Sequence, residues 1–180
     1  NFDECWIPDF IDEPNLSGQL SHLKSLPKST YFIGPLSRFA GISGNENNSE
    51  GNSQFKYDIL VLLSGPEPQR TMLEEKILSQ LKLHQYSAIV VSGTPESGQD
   101  VTIEGRIEIF SHLDSERLRK AILQSRIVLS RPGYSTLMDL VALGKKAVFI
   151  PTPGQTEQEY LAEYCLGKKW HYCINQKEID

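Results

Sequence analysis

Cysteine is scarce in this chain of 180 residues: Cys5, Cys165 and Cys173 are all there are, and no two stand at CxxC spacing. So odd and sparse a set excludes a disulfide framework and reads as reduced thiols in a cytosolic protein. No pair of cysteines or histidines sits at metal-ligand spacing, so no metal and no other cofactor is expected. No apolar run approaches the ~20 residues that a membrane helix needs. Long Lys/Arg runs are absent and the net charge is -5, which argues against a nucleic-acid surface or a patch for anionic membranes. The opening NFDECWIPDF has neither the basic nor the apolar region of a secretory signal. The glycine fingerprints GxGxxG and GxxxxGK[ST] are missing. So are HExxH, a Ser-His-Asp order and a convincing pair of catalytic carboxylates.

What is present is an ordinary soluble composition, 39% hydrophobic and 23% charged, in a chain long enough for one domain and part of another. Residues 1–40 are broken by Pro8, Pro14, Pro27 and Pro35, with short extended pieces at ECWIP and TYFIG. Residues 41–54, GISGNENNSEGNSQ, cannot bury a core and read as a flexible loop. From residue 55 a regular pattern begins. Apolar runs at 57–64, 86–93, 106–110, 126–130, 146–151 and 169–174 read as buried strands. Helical spacing fills 66–83, 114–124, 134–143 and 156–166 between them, with Asp114 as a cap and Gly144 and Gly167 as stops. Strands alternating with helices predict an α/β fold, a Rossmann-like doubly wound parallel sheet of about six strands. Residues 1–40 have no helix–strand partner of their own, so the chain reads as a fragment, or as one half of a two-domain enzyme.

In such a sheet ligands bind beyond the carboxyl ends of the strands. Three loops there are polar: SGPEPQR (64–70), SRPGYST (130–136) and PTPGQTEQE (151–159). In the second, Gly133 permits unusual dihedrals and close approach, and the helix behind it offers free N–H groups to an anion. Leu137, Leu140, Val141 and Gly144 share one face, leaving Ser135, Asp139 and the marginal Thr136 on the other. That places two hydroxyls and a carboxylate above the loop, where the acid suits a ribose. The plainer alternative makes Ser135 and Thr136 first-turn residues and Asp139 a solvated surface acid. In the third loop, Gln155, Gln158 and Glu159 suit sugar hydroxyls, but Thr156 to Glu159 also fits a capping box. Arg70 either reaches a phosphate or completes an ion pair. His22, His84, His112 and His171 read as structural or exposed.

SRPGYSTLMDLVALGKKAVFIPTPGQTEQEYLAEY resembles the donor-site signature of glycosyltransferase family 28, the MurG-like transferases, and DILVLLSGPEPQRT resembles the family's first strand and turn. CWIPDF, LSGQLSH and YFIGPLSRF look like the end of an acceptor domain and a crossover in related bacterial sugar transferases. The resemblance implies the C-terminal half of a GT-B glycosyltransferase: residues 1–40 as acceptor-domain tail and crossover, and 55–180 as the nucleotide-sugar donor domain. It implies that Gly133, Tyr134, Ser135 and Thr136 hold the diphosphate, with Ser64 and Gly65 on the phosphate side. Asp139 takes the ribose, Phe110 and Ser111 the uracil, and Gln158 and Glu159 the sugar; Arg131 matches a family arginine. The implied donor is a UDP-sugar, the acceptor a saccharide or lipid-linked saccharide, and the place the cytoplasm or the inner membrane face. The general base is expected in the other domain. Three positions depart from the family pattern: Glu157 replaces a His, Ala162 an Asn, and Gly65-Pro66 a glycine-rich turn. A UDP-sugar 2-epimerase and a non-catalytic nucleotide-sugar-binding module are the alternatives. Exposed strand edges in 1–40 also allow a homo-oligomer.

Overall fold

The computed structural model describes residues 3–41, 55–95 and 101–179. Apart from Gly41, the expected loop at 41–54 lies outside them.

Nine strands and four α-helices are described: β1 (Cys5–Ile7), β2 (Thr30–Phe32), β3 (Tyr57–Leu62), α1 (Gln69–Leu83), β4 (Ala88–Val91), β5 (Val101–Glu104), β6 (Ile107–Phe110), α2 (Ser115–Gln124), β7 (Ser125–Ser130), α3 (Tyr134–Ala142), β8 (Ala147–Phe149), α4 (Thr156–Gly167) and β9 (Tyr172–Cys173). Seven strands form the main sheet in the order β5-β6-β4-β3-β7-β8-β9. Every pairing is parallel except β5 on β6. Six parallel strands in this order make the doubly wound sheet read from the sequence, and the chain reverses direction across the sheet at β3 and β7. The seventh strand is a correction. Residues 101–104 turn back through Gly105 onto β6, and all four are exposed, so no buried apolar run announced them.

β3 shows why continuous apolar runs mark such strands. Leu60 and Leu62 face α2, α3 and α4, while Val61 and Leu63 face α1. Both faces are covered from Ile59 to Leu63, so no polar residue alternates in along that run. Asp114 caps α2 as expected, its Oδ1 accepting the Arg117 N–H at 2.8 Å. Gly144, at φ 62, closes α3. α4 ends at Gly167 as expected, but it is Lys169, at φ 60, that takes the left-handed turn two residues later.

The N-terminal segment packs onto this domain. β1 and β2 pair in parallel as a separate two-stranded sheet, while Leu16 and Phe39 join the main core. Asp9 organises the loop between those strands. It is wholly buried and accepts from the N–H groups of Phe10, Leu16 and Ser17 and from the Ser17 hydroxyl. Burial alone raises its pKa, but these bonds outweigh that and lower it. Gly18 lies so close to α4 that a Cβ there falls 2.2 Å from the Tyr160 hydroxyl, which explains the glycine in NLSG.

Candidate functional site

The site is built where β3, β7 and β8 end. Ser64 and Gly65 follow β3 and are exposed; Gly65 has φ 107, which a side chain rarely tolerates. An added Cβ meets nothing there but the Thr152 hydroxyl, at 3.9 Å. The next strand over, β7, runs into Arg131, Pro132 and Gly133. Gly133 is the N-cap of α3, and no side chain of the described residues caps that end. Its backbone is ordinary extended chain at φ −84 and ψ 142, so the expected need for unusual dihedrals is corrected. What the glycine does leave is room, since a Cβ there meets nothing within 4 Å except the Thr136 hydroxyl, at 3.8 Å. Ser135 is exposed and Thr136 partly so. The first turn of α3 thus begins at the carboxyl end of β7, the strand beside β3, with the positive end of the helix dipole there.

Other expected residues fall differently. Asp139 is only 5% exposed. Its Oδ2 pairs with Arg38 Nε at 2.9 Å, and its Oδ1 accepts from the Ser37 hydroxyl at 2.7 Å. The expectation that it stands free above the loop is corrected: Leu36, Ser37 and Arg38 pack over Met138 and Asp139. Val141, expected on the core face, is exposed. Tyr134 turns its hydroxyl to the Pro8 carbonyl at 2.9 Å, and burial, then the charge of Asp9, push its pKa up. Arg131 is 1% exposed and donates to the carbonyls of Ile150 and Gln69 and to Gln176 Oε1. Burial pulls its guanidinium down to about 10. Its side chain ties the β8 loop, the start of α1 and the C-terminal turn together from below.

The third loop is held from within. Gln158, buried, accepts the Thr152 N–H at 2.9 Å, and Glu159 accepts the Gly154 N–H at 2.8 Å. The cap of α4 is Gln155, without a side-chain bond, so the capping box expected at Thr156 does not form. Phe110 and Ser111 end β6, beyond β4 and so farther along the same edge. Arg70 completes ion pairs with Glu67 and Glu74 and also donates to the Ser92 carbonyl. Of the histidines, His171 is buried and its Nδ1 accepts the Ala147 N–H. Sequence reasoning passed over Gly93, at φ 74, where a Cβ would fall 2.4 Å from the Leu63 carbonyl oxygen. The SG dipeptide ending the second apolar run was its signal. Thr152 was also passed over; nothing in its sequence surroundings marks it.

Comparison with known proteins identifies the family. Residues 68–180, more than half of the chain, match the model of the glycosyltransferase family 28 C-terminal domain. The chain belongs to this family. Two curated relatives are UDP-N-acetylglucosamine--N-acetylmuramyl-(pentapeptide) pyrophosphoryl-undecaprenol N-acetylglucosamine transferases, from Rickettsia akari and Rickettsia felis. Each is 36% identical over 58 residues, which is 31% of this chain and 15% and 16% of those proteins. Among solved structures, the glycosyltransferase of kitacinnamycin superposes with a TM-score of 0.58 at 13% identity, over 85% of this chain and 38% of that one. That likeness shows the fold. The chain thus spans well under half the length of each of these proteins. Family membership places the loops after β7 and β8 in a glycosyltransferase domain; β3 and the Ser64-Gly65 turn precede the matched residues.

Proposed function

We propose that this family 28 domain binds a nucleoside diphosphate sugar, UDP-linked, for transfer of its hexosyl group. The observation that carries the reading is the N-terminus of α3, without a side-chain cap among the described residues, at the end of β7 beside β3, where the sheet reverses its strand order. In glycosyl transfer, negative charge grows on the departing diphosphate. A helix N-terminus fixed beforehand meets that charge without reorganisation, and so does the work a divalent cation does elsewhere. In this reading the amides of Tyr134, Ser135 and Thr136 hold the diphosphate, Ser64 and Gly65 flank it, and Phe110 and Ser111 read the base. Gln158 and Glu159 contact the sugar with the atoms left over from bracing their loop. Asp139 has two carboxylate oxygens, each with a second lone pair for ribose hydroxyls once Arg38 gives way. Arg131 acts from beneath, through its charge.

The N-terminal segment fits the tail of an acceptor domain. Parallel strands are ordinarily covered on both faces, yet β1 and β2 expose Trp6 and Tyr31 side by side. A larger sheet supplied by that domain covers them, and the same domain supplies the general base and the acceptor site. The relatives are named for an undecaprenol-linked acceptor. A lipid-linked saccharide and a post at the inner face of the membrane follow for this protein. None of the described helices is long and apolar enough to cross a membrane.

Calorimetric titration with UDP tests the reading. Binding in the micromolar to sub-millimolar range is expected without added metal. No heat up to millimolar UDP rules it out.

A further inference from the structure

Five buried polar side-chain atoms have no hydrogen-bond partner among the described residues, and three of them crowd the carboxyl edge of β7 and β8: Ser130 Oγ, Arg131 Nε and Thr152 Oγ1. Their residues are 3%, 1% and 5% exposed. A folded chain seldom leaves such groups unpaired unless something else completes them.

Thr152 is the one whose surroundings define a direction. Its N–H is fixed by Gln158, so the backbone beneath the side chain is held. Its hydroxyl faces the Gly65 turn, 3.9 Å from where a Cβ would stand, and no other atom of the described residues is placed within 4 Å of that point. Only glycine backbone borders this lane on the Gly65 side, and the Thr152 hydroxyl on the other is buried. Beneath the same edge lies the Arg131 guanidinium, whose hydrogen bonds go to two carbonyls and an amide oxygen and to no carboxylate. A small oxygen acceptor with negative charge fits this lane: it takes the hydroxyl proton in a hydrogen bond, tolerates close backbone approach and answers the buried cation.

From this geometry we infer that Thr152 Oγ1 donates a hydrogen bond to the distal phosphate of the donor, the one that carries the sugar. The position along the edge selects that phosphate. Thr152 stands between the Gly65 turn and Gln158, at the passage from the phosphate side to the sugar side. The inference rests on the donor-site reading above and adds a residue that distinguishes a diphosphate from a monophosphate.

The test is titration of UMP and UDP into wild type, Thr152→Val and Thr152→Ser, with apo thermal unfolding of each. Valine keeps the shape and removes the donor. Thr152→Val is expected to weaken UDP about tenfold, leave UMP unchanged, and unfold at or above the wild-type temperature, because the apo protein loses an unpaired hydroxyl. Thr152→Ser restores UDP binding. Equal losses for UMP and UDP, or none for either, overturn the role of Thr152 while wild-type UDP binding upholds the donor site. If wild type itself binds no UDP, it is the donor-site reading that fails. Should the valine variant not fold, Thr152→Ala supplies the same comparison.

Discussion

Arg38 Nε lies 2.9 Å from Asp139 Oδ2, joining the segment that follows β2 to the middle of α3. The pair is lopsided: the arginine side chain is 48% exposed and the carboxylate 7%. Removing each partner therefore costs different amounts. Arg38→Ala leaves a buried carboxylate with only the Ser37 hydroxyl, and about 2 kcal/mol of stability is lost. Asp139→Asn leaves an arginine that water can solvate and costs about 1 kcal/mol. Urea unfolding of both variants measures the order, and a larger loss from Asp139→Asn contradicts it. If Asp139 also serves the ribose, Asp139→Asn removes the preference for UDP over 2′-deoxy-UDP.

The two sides of this pair also show what the sequence disclosed and what it withheld. The six parallel strands and four helices were legible because their burial is local: the run Ile59 to Leu63 in YDILVLLS is apolar throughout because both its faces are covered. The site loops were legible because they follow those strands. β5 was not, since VTIE is exposed along its whole length and its pairing with β6 leaves no hydrophobic trace. Nor was the state of Asp139. Helical spacing correctly put it off the sheet-facing side, but its burial comes from Ser37 and Arg38, a contact made only when a distant stretch folds back. Tyr134 repeats the lesson with Pro8.

His171 gives the fold a mild acid sensitivity. Burial, reinforced by nearby Lys146, pulls its pKa down to about 4, while the unfolded chain titrates near ~6.5. Between those values the unfolded state takes up a proton that the native state refuses. Its contribution is complete above pH ~6.5 and is lost as pH falls toward 4, at up to ~1.4 kcal/mol per pH unit. The carboxylate of Asp9, held low, acts in the more acidic range. Chemical denaturation from pH 7 to 4 should show the slope, and His171→Gln should flatten it. An unchanged slope in that variant assigns the effect to another group.

Gly93 and Gly34 have nearly the same backbone, φ 74 and φ 77, and opposite surroundings. A Cβ at Gly93 meets the Leu63 carbonyl oxygen at 2.4 Å, whereas at Gly34 no atom of the described residues is placed within 4 Å. Gly34→Ala thus carries only the left-handed penalty of about 1–2 kcal/mol. Gly93→Ala adds a backbone collision where β4 passes the β3 loop, and costs about 3 kcal/mol or more. Thermal unfolding of the two variants separates strain from collision; equal losses mean that the β3 loop yields freely.

Ser135 offers a test in which stability and binding move in opposite directions. It is exposed in the first turn of α3, a turn without an acidic residue. Ser135→Glu places a negative charge against the positive end of the helix dipole and should stabilise the protein by about 0.3–1 kcal/mol. The same charge stands where the diphosphate is proposed to bind and should weaken UDP at least tenfold, more at low salt than at high. Ser135→Gln, similar in size and neutral, should do neither. Raised stability with unchanged UDP affinity would mean that the amide end of α3 attracts negative charge but does not hold the nucleotide, and the diphosphate would then have to be sought along the β3 loop alone.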